Sequence, residues 1–559
     1  MARRGRSPVN RRIRLLLAIL VLAFASLLGR SVWLQAVRAS ALSRLAARQH
    51  HETVTLPASR GTIFDRMGVQ LAIGEQATTV YADPQQVRDP RLVAQAAQQT
   101  LGVSASKLYP LLLDKTKSFV YVERQADPQL ASRLLVKKLA GIGSYPEEKR
   151  TYPQGNVAAH VLGYAGIDNN GLAGLELQLD QTLAGRAGTE TVVKDALDHP
   201  IDVVDEHPAR DGHDVFLTID HTIQAEAEAV LKKTVAQWHA KSATAIVLDP
   251  QTGAVLAMAD APGFWSQNFG STPPSVTRNT AVTDVYEPGS TFKLVTVAGV
   301  LSEHAVTPQT KFTLPYSIHV ADRVIHDAEV RGTQTMSVAR ILAQSSNVGA
   351  ITLAERFLGP DKLTSWIERF GFGRATGIGF PGESDGFVLP PSKWSGSTIG
   401  NVPIGQGVAV TPIQMACAYA AVANGGWLVQ PHLVDRIAGE APVVTPRHRI
   451  LAPGVARQLN AMLQNVVLDG TGTLAAVPGY KVAGKTGTAQ IPDAHGYSTG
   501  KYTASFVGMV PASKPRLLIL VKVTEPQGQI FGGVVAAPAF AQIAAYDLQY
   551  LEVPPDGKS

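Results

Sequence analysis

Cysteine is all but missing from these 559 residues: Cys417 stands alone. One thiol cannot close an intramolecular disulfide or build a cysteine metal centre. It lies in the apolar run Met415-Ala416-Cys417-Ala418-Tyr419-Ala420, where a small core residue is expected and a catalytic thiol is not. Charge is also scarce, at 17% of residues, and aromatics make up 6%. With 45% hydrophobic residues the composition is globular and excludes a disordered chain. The net charge of +6 is accounted for by Arg3, Arg4, Arg6, Arg11, Arg12 and Arg14, with no acid before residue 15. The remainder is balanced, so no basic face for nucleic acid is implied. Internal repeats and low-complexity tracts are lacking. The histidines form no convincing metal-ligand pair with a carboxylate, and His50-His51 reads as solvated stalk.

What is present begins with one long apolar run. Leu15 to Gly29 carries no charge, and letting Arg30 snorkel and Trp33 sit at an interface extends it to Val37, long enough for a bilayer. The competing reading is a cleaved leader, because Ala23-Phe24-Ala25 has the A-x-A form; Leu27 and Leu28 continue the apolar run past it, which favours an uncleaved anchor at 15–37. The arginine tail, 1–14, is then cytoplasmic and everything after residue 38 is exported.

Residues 38–225 read as a non-catalytic support module. A helical stalk leads to a strand–turn–strand pattern at 60–72, then come helices at 90–101 and 128–139 and a helix opened by Gly171 to Glu176. A second module is expected at 226–549, followed by a tail, 550–559. It starts with a hairpin, Ala243 to Met258. Helices are expected near 290–303, 337–344, 348–358, 361–371, 411–424 and 454–468, then strands at 480–490, 503–511 and 516–524 and a last helix at 537–550. Strands at both ends with helices between predict one antiparallel sheet flanked by helices, an α+β multidomain protein.

Three stretches in the second module carry chemistry. In Glu287-Pro288-Gly289-Ser290-Thr291-Phe292-Lys293, Ser290 opens a buried helix with Lys293 three residues on, on the same face. A serine hydroxyl is a weak nucleophile until a base takes its proton, and a lysine among apolar neighbours can be that base. A helix cap followed by a surface lysine is the plain alternative. Ser345-Ser346-Asn347 joins two helices, either as caps or as a proton relay (Ser345) and a substrate grip (Asn347). Lys485-Thr486-Gly487-Thr488 lies in a strand and offers a cation and two hydroxyls to a carboxylate. Gly479, Gly484, Lys485 and Thr486 also spell a P-loop, but no helix follows and export removes ATP, so nucleotide binding is excluded.

Ser-x-x-Lys, Ser-x-Asn and Lys-Thr-Gly in this order are the motifs of penicillin-recognising acyl-transfer enzymes. The chain resembles the class B penicillin-binding proteins, and among them the division-specific peptidoglycan D,D-transpeptidases. The resemblance extends to Leu28-Gly29-Arg30, Arg60-Gly61 with Asp65-Arg66, Gly171 to Glu176, Arg278-Asn279, Gly405-Gln406-Gly407 with Thr411-Pro412-Ile413-Gln414, and Tyr502 to Pro511. Ser346 stands where β-lactamases carry aspartate, which favours the transpeptidase branch.

The resemblance implies an elongated pedestal and dimerisation module beneath a penicillin-binding domain, at the division septum of the inner membrane. Ser290 would attack the D-Ala–D-Ala bond of a stem peptide, with Lys293 as base and Ser345 and Asn347 assisting. The N–H groups of Ser290 and Thr488 would form the oxyanion hole. Lys485, Thr486, Gly487 and Thr488 would hold the substrate. It implies β-lactams as mimics, no metal or cofactor, and a membrane-embedded glycan polymerase of the FtsW type among its division partners. A hydrolytic carboxypeptidase or β-lactamase, an elongation-type homologue and a silent scaffold are the alternatives.

Overall fold

The structure, a computed structural model, describes residues 8–38, 51–194, 200–493 and 496–557. The expected cytoplasmic tail before residue 8 and most of the stalk, 39–50 with His50, lie outside the described residues. The chain forms two compact units: residues 1–58 with 185–211, and residues 59–184 with 212–559.

In the first unit, helix Pro8–Val32 continues as a π-helical turn, Trp33–Val37. Arg11–Val37 is long and apolar enough to cross a membrane, and its side chains are exposed. The Arg38 guanidinium lies 4.5 Å from the centre of the Trp33 ring, a cation–π pair at the end of the run. Strands His51–Leu56, Gly188–Lys194 and Pro200–His207 form an antiparallel sheet with Gly188–Lys194 in the centre.

The second unit is built on two sheets. One runs in the order Val434–Ile437, Val215–Leu217, Ile63–Phe64, Gln70–Ala82, Val120–Ala126, with Ile142–Thr151 also paired to Gln70–Ala82. Helices Pro90–Leu101, Ala105–Leu113 and Pro128–Leu135 cover its far part through Val80, Val93, Leu108, Leu112 and Leu134. The expected module boundary at 225/226 lies within one continuous helix, His221–Gln237, capped by Asp220. Strand Val215–Leu217 pairs both with Ile63–Phe64 and with Val434–Ile437, so segments from either side of that boundary share a sheet.

The other sheet is antiparallel, in the order Val255–Ala261, Ser242–Leu248, Leu517–Thr524, Gly496–Val510, Ala483–Asp493. Strands Ser242–Leu248, Val255–Ala261 and Leu517–Thr524 are buried on both faces, so they read as apolar runs instead of alternating ones. Helices His221–Gln237 and Ala537–Tyr550 cover one face, around Phe506 and Phe540. Against the other face stand Lys293–Ser302 and Pro412–Ala423, both apolar on every side. Pro412–Ala423 starts with a Thr411–Gln414 capping box and buries all twelve of its residues, Cys417 included. Burial pushes that thiol up to about 12, as a structural cysteine requires.

Candidate active site

Ser290 and Lys293 do not sit in one regular helix. Residues Gly289–Phe292 form a 3₁₀ turn, and the α-helix begins at Lys293. Two glycines explain how this turn meets the edge strand. Gly289 has φ +55°, and a Cβ there would fall 2.7 Å from the Thr488 carbonyl oxygen. A Cβ on Gly487 would fall 2.3 Å from Ser505 Oγ and 2.9 Å from Pro288 O. Only paired glycines let the two backbones approach so closely. The turn is held from behind as well: Tyr419 OH donates to Thr291 O at 2.7 Å, and Thr291 Oγ1 to Pro288 O at 2.8 Å.

Lys293 is fully buried. Its Nζ donates to Ser345 O at 2.5 Å, to Asn347 Oδ1 at 2.7 Å and to Ser345 Oγ at 3.3 Å. Lys485, also fully buried, donates to the same Ser345 hydroxyl at 3.0 Å and to Thr486 Oγ1 at 3.2 Å. Ser345 Oγ thus bridges two lysines. Burial pushes Lys293 down to about 7, against a smaller upward pull from the Asp327 carboxylate. Burial, and then Lys293 itself, hold Lys485 well below the usual lysine range. Two ammonium groups this close and this dry cannot both form cheaply, so one neutral amine is available as a base near neutral pH. The half-buried Ser290 hydroxyl makes no hydrogen bond among the described residues and is free to meet a substrate.

The middle motif divides between a helix cap and contacts to the lysines. Ser346 is the cap of helix Asn347–Leu353, its Oγ accepting from Gly349 N at 2.9 Å. Its neighbours Ser345 and Asn347 turn to the lysines. The Asn347 amide is committed at both ends, since Nδ2 donates to His326 O at 3.0 Å, so its expected grip on a substrate requires it to exchange a partner. On the edge strand, Thr486 Oγ1 pairs with Thr471 Oγ1 at 2.7 Å, and Thr488 Oγ1 accepts from Gly532 N at 3.1 Å, which leaves the Thr488 proton to donate.

Ser345 has φ +58°. It is the residue after the C-cap of helix Val338–Ala343, where the N–H of Ser346 returns to Ile341 O and that of Ser345 to Leu342 O. Glycine is the ordinary occupant of that position, and a serine there stores about 1–2 kcal/mol. Both Ser345→Gly and Ser345→Ala remove the hydroxyl that meets the two buried lysines, and only glycine also relieves the left-handed backbone, so Ser345→Gly is expected to be about 1 kcal/mol more stable than Ser345→Ala by calorimetry.

Sequence reading missed the residues behind this corner. Asp327, His326 and Arg331 support Ser346 and Asn347 from a loop with no motif of its own. Glu287 accepts from Gly407 N at 2.9 Å and from Tyr497 OH at 3.1 Å, tying the loop before Ser290 to two other segments; the apolar pattern around it gave no hint of this. One group has metal-ligand proximity among the described residues: Asp65, Asp220 and His221, with donor atoms within 4.8 Å of one another. Each has other work. Asp65 closes its turn through Met67 N and Val69 N and accepts from His221 Nδ1 at 2.6 Å, and Asp220 caps a helix.

Comparison with known proteins agrees with this geometry. Residues 243–545 match the penicillin binding protein transpeptidase domain, and residues 55–217 the penicillin-binding protein dimerisation domain. The chain is 36% identical to penicillin-binding protein PbpB of Mycolicibacterium smegmatis, over 96% of this chain and 89% of that protein. It is 33% identical to peptidoglycan D,D-transpeptidase FtsI of Escherichia coli K12, over 98% and 93%. Penicillin-binding protein 3 of Mycobacterium tuberculosis, solved with aztreonam, superposes with a TM-score of 0.71 at 29% identity, covering 90% of this chain and 98% of that one. Similarity at that level across both domains and nearly the whole length shows that the chain belongs to the class B penicillin-binding proteins, the peptidoglycan transpeptidases.

Proposed function

We propose that Ser290 is the acyl-ester nucleophile of a D,D-transpeptidase, with Lys293 as its base. The reading rests above all on one observation: Lys293, Ser345, Asn347 and Lys485, from three distant stretches, hydrogen-bond into a single buried corner one turn from Ser290. The Ser290 oxygen attacks the carbonyl of the penultimate D-alanine, and the Lys293 amine takes its proton. The developing oxyanion is stabilised by the N–H groups of Ser290 and Thr488, a reading supported by the close approach of their two segments at Gly289 and Gly487. Lys485, Thr486 and Thr488 hold the terminal carboxylate, with the peptide laid along the free edge of strand Ala483–Asp493. Ser345, in contact with both lysines, passes the proton on to the departing D-alanine amine. An amine of a second stem peptide then attacks the ester, and the proton it sheds returns to Ser290 through the same groups. A β-lactam follows the first half of this path and stays on Ser290. Mass spectrometry of peptides from the penicillin-treated protein tests the reading: the adduct is expected on the peptide bearing Ser290, and an adduct elsewhere overturns it.

The finer setting belongs to the same proposal. The N-terminal helix is a single-pass anchor with its arginines on the cytoplasmic side, the region matching the dimerisation domain is the pedestal, and the transpeptidase domain works outside the membrane. The division role, with an FtsW-type polymerase as partner, is supported by the similarity to FtsI through the anchor and the pedestal. A fluorescent fusion is expected to gather at midcell; a side-wall distribution would assign the protein to elongation.

A further inference from the structure

Asp327 follows the hairpin strand Arg323–His326 and is 6% exposed. Ser346 Oγ lies 3.0 Å from each of its carboxylate oxygens, and Val348 N donates to Oδ1 at 3.0 Å. Arg331 donates to Oδ2 through Nε at 2.9 Å and Nη2 at 2.5 Å. The adjacent carbonyl, His326 O, takes the Asn347 amide. Two consecutive residues therefore hold Ser346, Asn347 and Val348 together. With its Nδ2 fixed on His326, Asn347 can only turn Oδ1 toward Lys293, where it accepts at 2.7 Å.

Arg331 accounts for one use of a carboxylate here, through its two hydrogen bonds to Oδ2, and the same charge has a second use. A base that takes a proton becomes an ammonium, and in a corner that already contains Lys485 that cation needs a counter-charge. The charged groups that act on Lys293 are Lys485 on the edge strand and Asp327 after the hairpin; Arg331 pairs with Asp327, and His326 meets the corner through its carbonyl. The helices on either side contribute Ser345 and Asn347, which do not titrate.

We propose that Asp327 is a positioning residue of the acyl-transfer site: it fixes the Ser346–Val348 corner that aims Asn347 at Lys293, and its negative charge stabilises the cation Lys293 becomes when it takes the proton. The inference rests on Lys293 being the base. The upward pull of Asp327 on Lys293 agrees with it.

The test is the acylation rate of the full-length protein with a fluorescent penicillin between pH 5.5 and 9. In the wild type the rate is expected to fall below about pH 7 as Lys293 acquires a proton. Asp327→Asn keeps the shape and removes the charge. Its acid limb is expected to move down by about one pH unit, because the ammonium has lost its partner, and its plateau to fall about tenfold. Ser346→Ala, which cuts hydrogen bonds and keeps the charge, is expected to leave the limb in place. Arg331→Gln bares the Asp327 charge and is expected to move the limb upward, which keeps the test decisive if Asp327→Asn does not fold. A lowered plateau with an unmoved limb in Asp327→Asn, or an unmoved limb in Arg331→Gln, overturns the proposal. If Lys293→Met keeps the wild-type limb, the reading of Lys293 fails first and takes the proposal with it.

Discussion

Ser290→Ala is expected to remain folded and to lose acylation by penicillin entirely, a fall of at least about 10⁴-fold. The Ser290 hydroxyl is half-buried and makes no hydrogen bond among the described residues, so its removal leaves no cavity and no orphaned partner. Lys293→Met is expected to cost nearly as much in rate and more in stability. The methionine fills the buried volume, but Ser345 O and Asn347 Oδ1 each lose a donor at 2.5 and 2.7 Å. Intact-mass measurement after penicillin treatment reads both: the wild type gains one adduct, Ser290→Ala none, and Lys293→Met a trace that grows with hours of exposure. The double variant is expected to be no worse than Ser290→Ala, because nucleophile and base act in a single step. A Ser290→Ala protein that still gains one adduct would move the chemistry to another residue.

How far the sequence revealed this site depended on the range of each interaction. Helices such as Pro90–Leu101 and Pro412–Ala423 were legible because Pro at the start, a cap and an apolar run are local signals. The helix expected from 290 begins instead at Lys293, because Pro288 and a left-handed Gly289 tighten the preceding turn to 3₁₀. The three motifs were legible as an ordered set but not as a corner. Ser345 Oγ between two lysines depends on strand Ala483–Asp493 pairing with Gly496–Val510, and on Leu517–Thr524 pairing back across the domain to Ser242–Leu248. No periodicity specifies which strands become neighbours. Asp327 was invisible for a related reason: it is one acid in a polar loop, and only tertiary contact with Ser346 separates it from Asp322 or Glu329. The break placed at 225/226 followed a change in pattern, whereas the chain continues as helix His221–Gln237 and shares a sheet across it.

The largest stability effect is expected far from Ser290, at Glu176. Its carboxylate is wholly buried between two buried guanidiniums, accepting from Arg60 Nε at 2.8 Å and Arg150 Nε at 2.6 Å, while its own carbonyl accepts from Arg60 Nη2 at 2.9 Å. Asp180 takes the other side of Arg60 at 2.7 Å and also accepts from Gly171 N, so the Gly171–Glu176 turn is tied to both arginines. Glu176→Gln keeps the shape, but its amide points a donor at one guanidinium, and it leaves Arg60 with Asp180 alone and Arg150 with no carboxylate. Breaking a buried pair from one side costs about 3–5 kcal/mol, far more than the intact pair contributes. The urea midpoint is expected to fall accordingly, while molecules that stay folded acylate at the wild-type rate, since no member of this network touches the Ser290 corner. Adding Arg150→Met to Glu176→Gln is expected to recover part of the loss, because it removes the cation that the first change stranded. A loss below about 1 kcal/mol in Glu176→Gln would mean that water reaches the guanidiniums. Arg150 Nη2, buried and without a partner among the described residues, is where that water would bind.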